Sequence, residues 1–197
     1  MNNVAKIEEN HFAVEEGKTA KAKIEISKGE HKLKVVLEEN STLEFIGATS
    51  NNSALSLEFD LIGENSSVEV ITCSKAEKDN IQRIKTNVFH NAKNTRSIVR
   101  SRGASWDKGL IDLKGLAKVE KSARGAKSFV ECKALLLGKD SKAHADPVLE
   151  ILNNDVVCSH SASIAEIDKK QIFYLQTRGI SEEEAKNLIV QGFLGQQ

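Results

Sequence analysis

Apolar and polar residues alternate in short stretches along most of the chain. Lys23-Ile24-Glu25-Ile26, Leu55-Ser56-Leu57-Glu58-Phe59 and Val148-Leu149-Glu150-Ile151 each place an apolar side chain at every second position, the mark of strands buried on one face. Turn signals separate them at a near-constant offset. Glu39-Asn40-Ser41-Thr42-Leu43-Glu44-Phe45-Ile46 returns 25 residues later as Glu64-Asn65-Ser66-Ser67-Val68-Glu69-Val70-Ile71. Further signals at Asn94-Thr95, Gly125-Ala126 and Asn154-Asp155 extend the spacing from 25 to 31 residues. Short strands, regular corners and no helical stripe before residue 167 predict a solenoid of β-coils, in which stacking neighbours bury what one coil cannot bury alone. An all-β sandwich is the alternative that the same pattern allows.

The last thirty residues change period. Asp168 to Arg178 reads as a helix, with Ile167, Ile172 and Leu175 on one side and Gly179 as its stop. Ser181-Glu182-Glu183-Glu184 reads as a capping box that opens a second helix, whose apolar stripe is Ala185, Leu188, Ile189 and Phe193. The expected organisation is therefore a β-solenoid core over 1–166 and a helical segment over 167–197. The helix pair either caps the solenoid or docks a partner.

Composition narrows the choices. Lys and Arg together number 28, as do Asp and Glu, so no net field draws the chain to nucleic acid or to a membrane. Aromatic residues make up 5%, so the core must be filled by Val, Ile, Leu and Ala, which suits narrow coils. There are three cysteines and no C-x-x-C pair, which argues against a disulfide framework. Met1-Asn2-Asn3 does not start a signal peptide, and the expected location is the cytoplasm.

Alternation also aims the candidate chemistry. Cys132 shares a side with Val130, Ala134 and Leu136, while Cys158 and His160 share one with Val156, Ala162 and Ile164. All three candidates should face the bore, within one or two coils of each other. Thiol and imidazole ligands suit iron–sulfur chemistry and soft metals, and a nearby imidazole can favour the reactive thiolate. Taken singly, each is read as an ordinary core residue. Lys93, Arg96, Arg100 and Arg102 form a basic cluster without interleaved aromatics, so a solvated strand face is the better reading than a nucleic-acid site. His11, His31, His90 and His144 lack metal-ligand spacing, and no phosphate loop is present.

Several motifs in order carry a family resemblance over roughly residues 88 to 195. Lys93-Asn94-Thr95-Arg96-Ser97 before Ser101-Arg102-Gly103-Ala104-Ser105 resembles Lys-Asn-Thr-Arg-Ser before Ser-Lys-Gly-Ile-Ser of SufB. Lys114-Gly115-Leu116-Ala117-Lys118-Val119 and Cys132-Lys133-Ala134-Leu135-Leu136-Leu137-Gly138 resemble further SufB segments, whereas Asp155-Val156-Val157-Cys158-Ser159-His160 looks more like SufD. The tail, Gln171 to Leu175, Arg178-Gly179-Ile180 and Glu184 to Phe193, is similar to both.

The resemblance implies a right-handed parallel β-helix and a scaffold, not an enzyme, on which a transient iron–sulfur cluster is built. Cys132 takes the position of the sulfur-accepting cysteine, and His160 that of the interface histidine. With Cys158 they form the implied metal-binding set. The implied partners are a SufC-like ABC-type ATPase, a sulfur donor protein, and a second subunit in a homodimer or a SufB/SufD-type heterodimer. Ile172, Phe173, Leu175, Arg178, Leu188 and Phe193 are the implied ATPase contacts. Two departures stand out: Ser161 replaces an acidic residue of SufB, and the usual N-terminal extension is missing. A SufD-like subunit that binds the ATPase but carries no cluster is the alternative. A carbohydrate-active solenoid would want an acidic cluster on an outer strand face, and none is seen.

Overall fold

A residue in the left-handed backbone region turns the chain at one corner of successive coils. Gly17, Asn40, Asn65, Asn94 and Gly125 have φ of 67°, 56°, 59°, 58° and 74°. Their amides donate in sequence to the carbonyls of Glu39, Glu64, Lys93, Arg124 and Asp155, at 2.7–3.1 Å. Asn tolerates this conformation because its short polar side chain bonds locally. Here the Asn65 amide nitrogen donates to Asn40 Oδ1 at 3.0 Å, so the corners form a column. The repeat seen in the sequence is this column.

The computed structural model describes residues 10–195; the first residues of the expected core, including Met1-Asn2-Asn3, and the last two positions lie outside that range. Twelve strands run from β1 (His11–Val14) through β2 (Thr19–Ile26), β3 (Gly29–Leu37), β4 (Thr42–Thr49), β5 (Ser53–Leu61), β6 (Ser67–Ala76), β7 (Ile81–His90), β8 (Arg96–Ser105), β9 (Leu110–Val119), β10 (Lys127–Leu136) and β11 (Lys142–Ile151) to β12 (Val157–Glu166). The strands form two six-stranded parallel sheets, ordered β1-β3-β5-β7-β9-β11 and β12-β10-β8-β6-β4-β2. Each coil gives one strand to each sheet, so the body is a parallel β-helix.

Its filling changes along the axis. The early coils hold Leu43, Leu57 and an edge-to-face pair, Phe45 and Phe59, with ring centroids 5.4 Å apart. Later coils bring small polar groups inside: Thr72 Oγ1 donates to Ser101 Oγ at 2.9 Å, and Ser97 and Ser128 hydroxyls lie 2.8 Å apart. His90 is fully buried in this part, bonded to Thr95 Oγ1 at 2.8 Å and Ser97 Oγ at 2.9 Å.

Among the described residues, helices occur only after β12. Helix α1 (Lys169–Thr177) is capped by Asp168, and Gly179 beyond it has φ 85°. Helix α2 (Glu182–Leu194) opens with the reciprocal Ser181–Glu184 capping box. Its buried face is Ala185, Val190 and Leu194, so the stripe is rotated from the expected one: Leu188 points out at 49% exposure. Val190 and Leu194 share a cluster with Cys73, Ala104 and Leu135 on the outer side of the β2–β12 sheet. Among the described residues no helix is long and apolar enough to cross a membrane.

Candidate functional site

Parallel register carries side chains of one row onto the same face in every strand. Three inward rows cross β6, β8, β10 and β12: Val68-Ser97-Ser128-Cys158, Val70-Val99-Val130-His160, and Thr72-Ser101-Cys132-Ala162. Cys132 and His160 therefore face the same side on adjacent strands, two register steps apart. Strand geometry puts their Cα atoms about 8 Å apart. Cys158 lies one alternate position further along β12, in register with Ser128.

The rows end at β12, the edge strand, and this decides their exposure. Cys132 is sealed at 0% exposure, Cys158 is half-buried, and His160 is exposed. The expectation of inward-facing groups holds by register, but His160 lies at the mouth and not in a closed tube, because no further strand covers it. Among the described residues no three His, Cys, Asp or Glu side chains converge as a metal site, so the trio is not brought together as a closed ligand set.

Three residues that the pattern did not single out shape the mouth. Pro147 lies on β11, the edge of the other sheet, where a missing N–H is tolerated. Its carbonyl oxygen is 3.0 Å from His160 Nδ1. A carbonyl can only accept, so Nδ1 carries the proton and a neutral ring keeps its lone pair at Nε2, the atom suited to a metal. Gly115 on β9 leaves room beside the thiol: a Cβ there would meet Val130 Cγ1 at 2.5 Å and Cys132 Sγ at 3.6 Å. The third is Asp146. Burial pushes the Cys132 thiol up to about 12, the Asp146 and Glu131 carboxylates push the same way, and a backbone hydrogen bond from Asp146 offsets part of this. Cys158 is also raised by burial, against a backbone bond from Ser128. Both thiols are thus held protonated, and the imidazole is not among the groups acting on Cys132.

Ser161 lies on the outer row, in register with Glu131, so a carboxylate at that position would face away from the bore. The basic cluster is largely neutralised: Arg100 pairs with Glu69 at 2.6 Å and Lys93 with Glu64 at 3.3 Å. This favours the solvated strand face over a nucleic-acid site.

The helical residues divide. Ile172 is buried in the chain's own packing, and Phe193 packs partly against the α2 cluster. Leu175 is half-buried. Phe173 at 68% and Tyr174 at 58% exposure, with Arg178 stacked over the Tyr174 ring at 5.4 Å, form the outward surface together with Leu188.

Residues 18–193 match the family model described as SUF system FeS cluster assembly, SufBD core domain. The chain is 32% identical over 159 residues to an iron–sulfur cluster assembly SufBD family protein of Staphylococcus saprophyticus, an alignment covering 79% of this chain and 34% of that protein. Proteins of the same description from Staphylococcus epidermidis and Staphylococcus haemolyticus are each 31% identical with the same coverage. The chain thus spans about a third of the length of the curated relatives it matches. A match through nearly every coil and both helices means that the chain belongs to the SufBD family.

Proposed function

We propose that the chain is a scaffold for iron–sulfur cluster assembly in the cytoplasm, without catalytic turnover of its own. The carrying observation is the placement of Cys132 one strand behind the open β12 edge, on the same face as His160 and Cys158. The Cys132 thiolate attacks the outer sulfur of a persulfide on a donor protein, the donor's S–S bond breaks and its thiol leaves, and a two-electron reductant such as a thiol pair then releases that sulfur from Cys132 as sulfide. His160 through Nε2, and Cys158, hold iron where the mouth meets a second subunit, either another copy or a SufB/SufD-type partner. The transient cluster is cargo, assembled and passed on.

The buried thiol makes opening part of the mechanism. A pKa near 12 leaves almost no thiolate at neutral pH, so Cys132 acts only when its surroundings open. We assign the opening to a SufC-like ABC-type ATPase docked on α1 and α2, against Phe173, Tyr174, Leu188 and Arg178, with Ile172, Leu175 and Phe193 setting the helix surface from beneath. The two-part organisation, a coil body to 166 and a helical dock beyond it, follows from this division of labour.

The test is anaerobic reconstitution with ferrous iron, a persulfide-bearing sulfur donor and a thiol reductant, with no free sulfide added, followed by visible-range absorbance. The native chain with its ATPase should develop cluster absorbance, and Cys132→Ala should fold normally yet develop none. Equal absorbance in Cys132→Ala would remove Cys132 from the mechanism. A native chain that binds the ATPase but stays colourless would favour a spacer subunit like SufD.

A further inference from the structure

On the outer side of β10 the residues flanking Cys132 carry charge. Glu131 and Lys133 form an ion pair at 2.6 Å, and Glu131 is 6% exposed although ionisable. Arg102, in register with Lys133 on β8, reaches both this pair and α2. Its Nη2 is 3.6 Å from Glu131 Oε1, and its Nη1 donates to the carbonyl oxygen of Phe193 at 2.9 Å. One guanidinium thus ties the end of α2 to Glu131, the residue before the buried cysteine, and Glu131 in turn holds Lys133, the residue after it.

The contact is incomplete. Arg102 Nε and Glu131 Oε1 are both buried without a hydrogen-bond partner. Buried polar groups of natural proteins are normally satisfied, so these unmet members call for a physical reason. Another arrangement is close: Nε and Nη2 form the guanidinium's side-on edge, and closing by about 1 Å onto the Glu131 carboxylate would make a two-bond fork. In the arrangement seen, the guanidinium instead spends Nη1 on the Phe193 carbonyl.

We propose that Arg102, Glu131 and Lys133 form a two-position latch that couples the seating of α2 to the strand carrying Cys132. With α2 seated, Arg102 spends one arm on Phe193 and holds Glu131 loosely. With α2 lifted, Arg102 closes on Glu131, draws the charged side of β10 toward β8, and loosens the hold of β12 on Cys132. Arg102, Glu131 and Lys133 are positioning residues; none contacts the bore. The functional meaning rests on the docking role proposed for the helices, but the coupling itself is a property of the chain alone.

The cysteines supply the readout. Cys73 lies in the same buried cluster as Val190 and Leu194, so its alkylation reports lifting of α2, whereas alkylation of Cys132 reports opening of β10. Pulsed N-ethylmaleimide labelling, read peptide by peptide by mass spectrometry and referenced to the global unfolding constant from urea denaturation, follows both. Val190→Ala, which removes a buried contact of α2, should raise Cys73 labelling on the order of tenfold. With Arg102 present, Cys132 labelling should rise alongside it. With Arg102→Met, the Cys73 response to Val190→Ala should persist while the Cys132 response disappears. Should Arg102→Met fail to fold, Arg102→Lys replaces it, since an ammonium cannot make the fork. An unmoved Cys132 in the native background, or an equal Cys132 response in both backgrounds, would overturn the coupling. ATPase binding measured separately tests the dock, so the two ideas fail independently.

Discussion

His160 and Pro147 are joined across the mouth of the coil: the imidazole on one sheet donates from Nδ1 to a carbonyl oxygen of the other, at 3.0 Å. The bond orients the ring and leaves the Nε2 lone pair outside it, the atom that the proposed function gives to iron. His160→Asn places an amide N–H near the position of Nδ1 and should keep the bond. We predict a stability loss under about 1 kcal/mol, since the group is exposed and net hydrogen-bond contributions are of that size. Iron retained after anaerobic gel filtration of the reconstituted complex should nonetheless fall, because no donor replaces Nε2. Unchanged iron would mean that the histidine only braces the mouth.

Gly115 tests how tightly the space around the thiol is drawn. Gly115→Ala puts a Cβ 2.5 Å from Val130 Cγ1, too close without movement. The expected cost is about 1–3 kcal/mol in urea denaturation, the range for overpacking a core. Adding Val130→Ala should restore part of the loss, because the two changes share one contact. Additive costs in the double variant would show that the strain lies elsewhere.

His90 predicts the acid limb of stability. Burial lowers its pKa from 6.5 to about 4, so between those values the unfolded chain takes up a proton that the folded chain refuses. Its contribution is complete above pH 6.5 and is lost as pH falls through 4. The integrated effect is about 3 kcal/mol. His90→Gln cannot titrate and should show a shallower fall in urea midpoint between pH 7 and 4 than the native protein. Parallel curves would place the acid sensitivity in the carboxylates.

Much of this architecture was legible from residues because one physical rule repeats. Asn40, Asn65 and Asn94 marked the corners, and alternation about Val130 and Cys132 gave the facing of β10. The solenoid was preferred to a sandwich because the corners recur, and their stacking carbonyls are the reason. Exposure was less legible. His160 sits in a row of valines, and only strand order reveals that nothing covers it. The helix stripe was misjudged at Leu188 because the outer sheet surface, not helical period alone, chose Val190 and Leu194 as the buried face. Arg102 read as one member of a basic cluster, since its partners Glu131 and Phe193 are distant in sequence.

Asn65 checks the corner column. At φ 59°, Asn65→Ala should cost about 1–2 kcal/mol, the penalty of an L-residue in the left-handed region, plus the lost bond to Asn40. Asn65→Gly should cost much less, as glycine has no Cβ to strain. Equal losses for the two, measured by urea denaturation, would mean that the side-chain ladder and not the backbone conformation holds the corner.

The last coil bears on assembly. β11 and β12 are both edge strands, and the end they form leaves Ile151 and Ile164 more than two-fifths exposed, at 42% and 47%. Unpaired strand edges bordered by apolar side chains invite pairing with another strand, and natural proteins usually blunt or cover them. Helix α2 does not do so: it packs over the outer face of the β2–β12 sheet through Val190 and Leu194. A second subunit seated here would cover Ile164 and enclose His160 and Cys158 together. Sedimentation should therefore detect concentration-dependent dimers at micromolar levels. Ile164→Lys should shift the species to monomer with its urea midpoint nearly unchanged, since the side chain is already half in water. The same variant should lose cluster absorbance although Cys132, Cys158 and His160 are intact. A monomeric Ile164→Lys that still assembles the cluster would place iron on one chain and take the junction out of the chemistry.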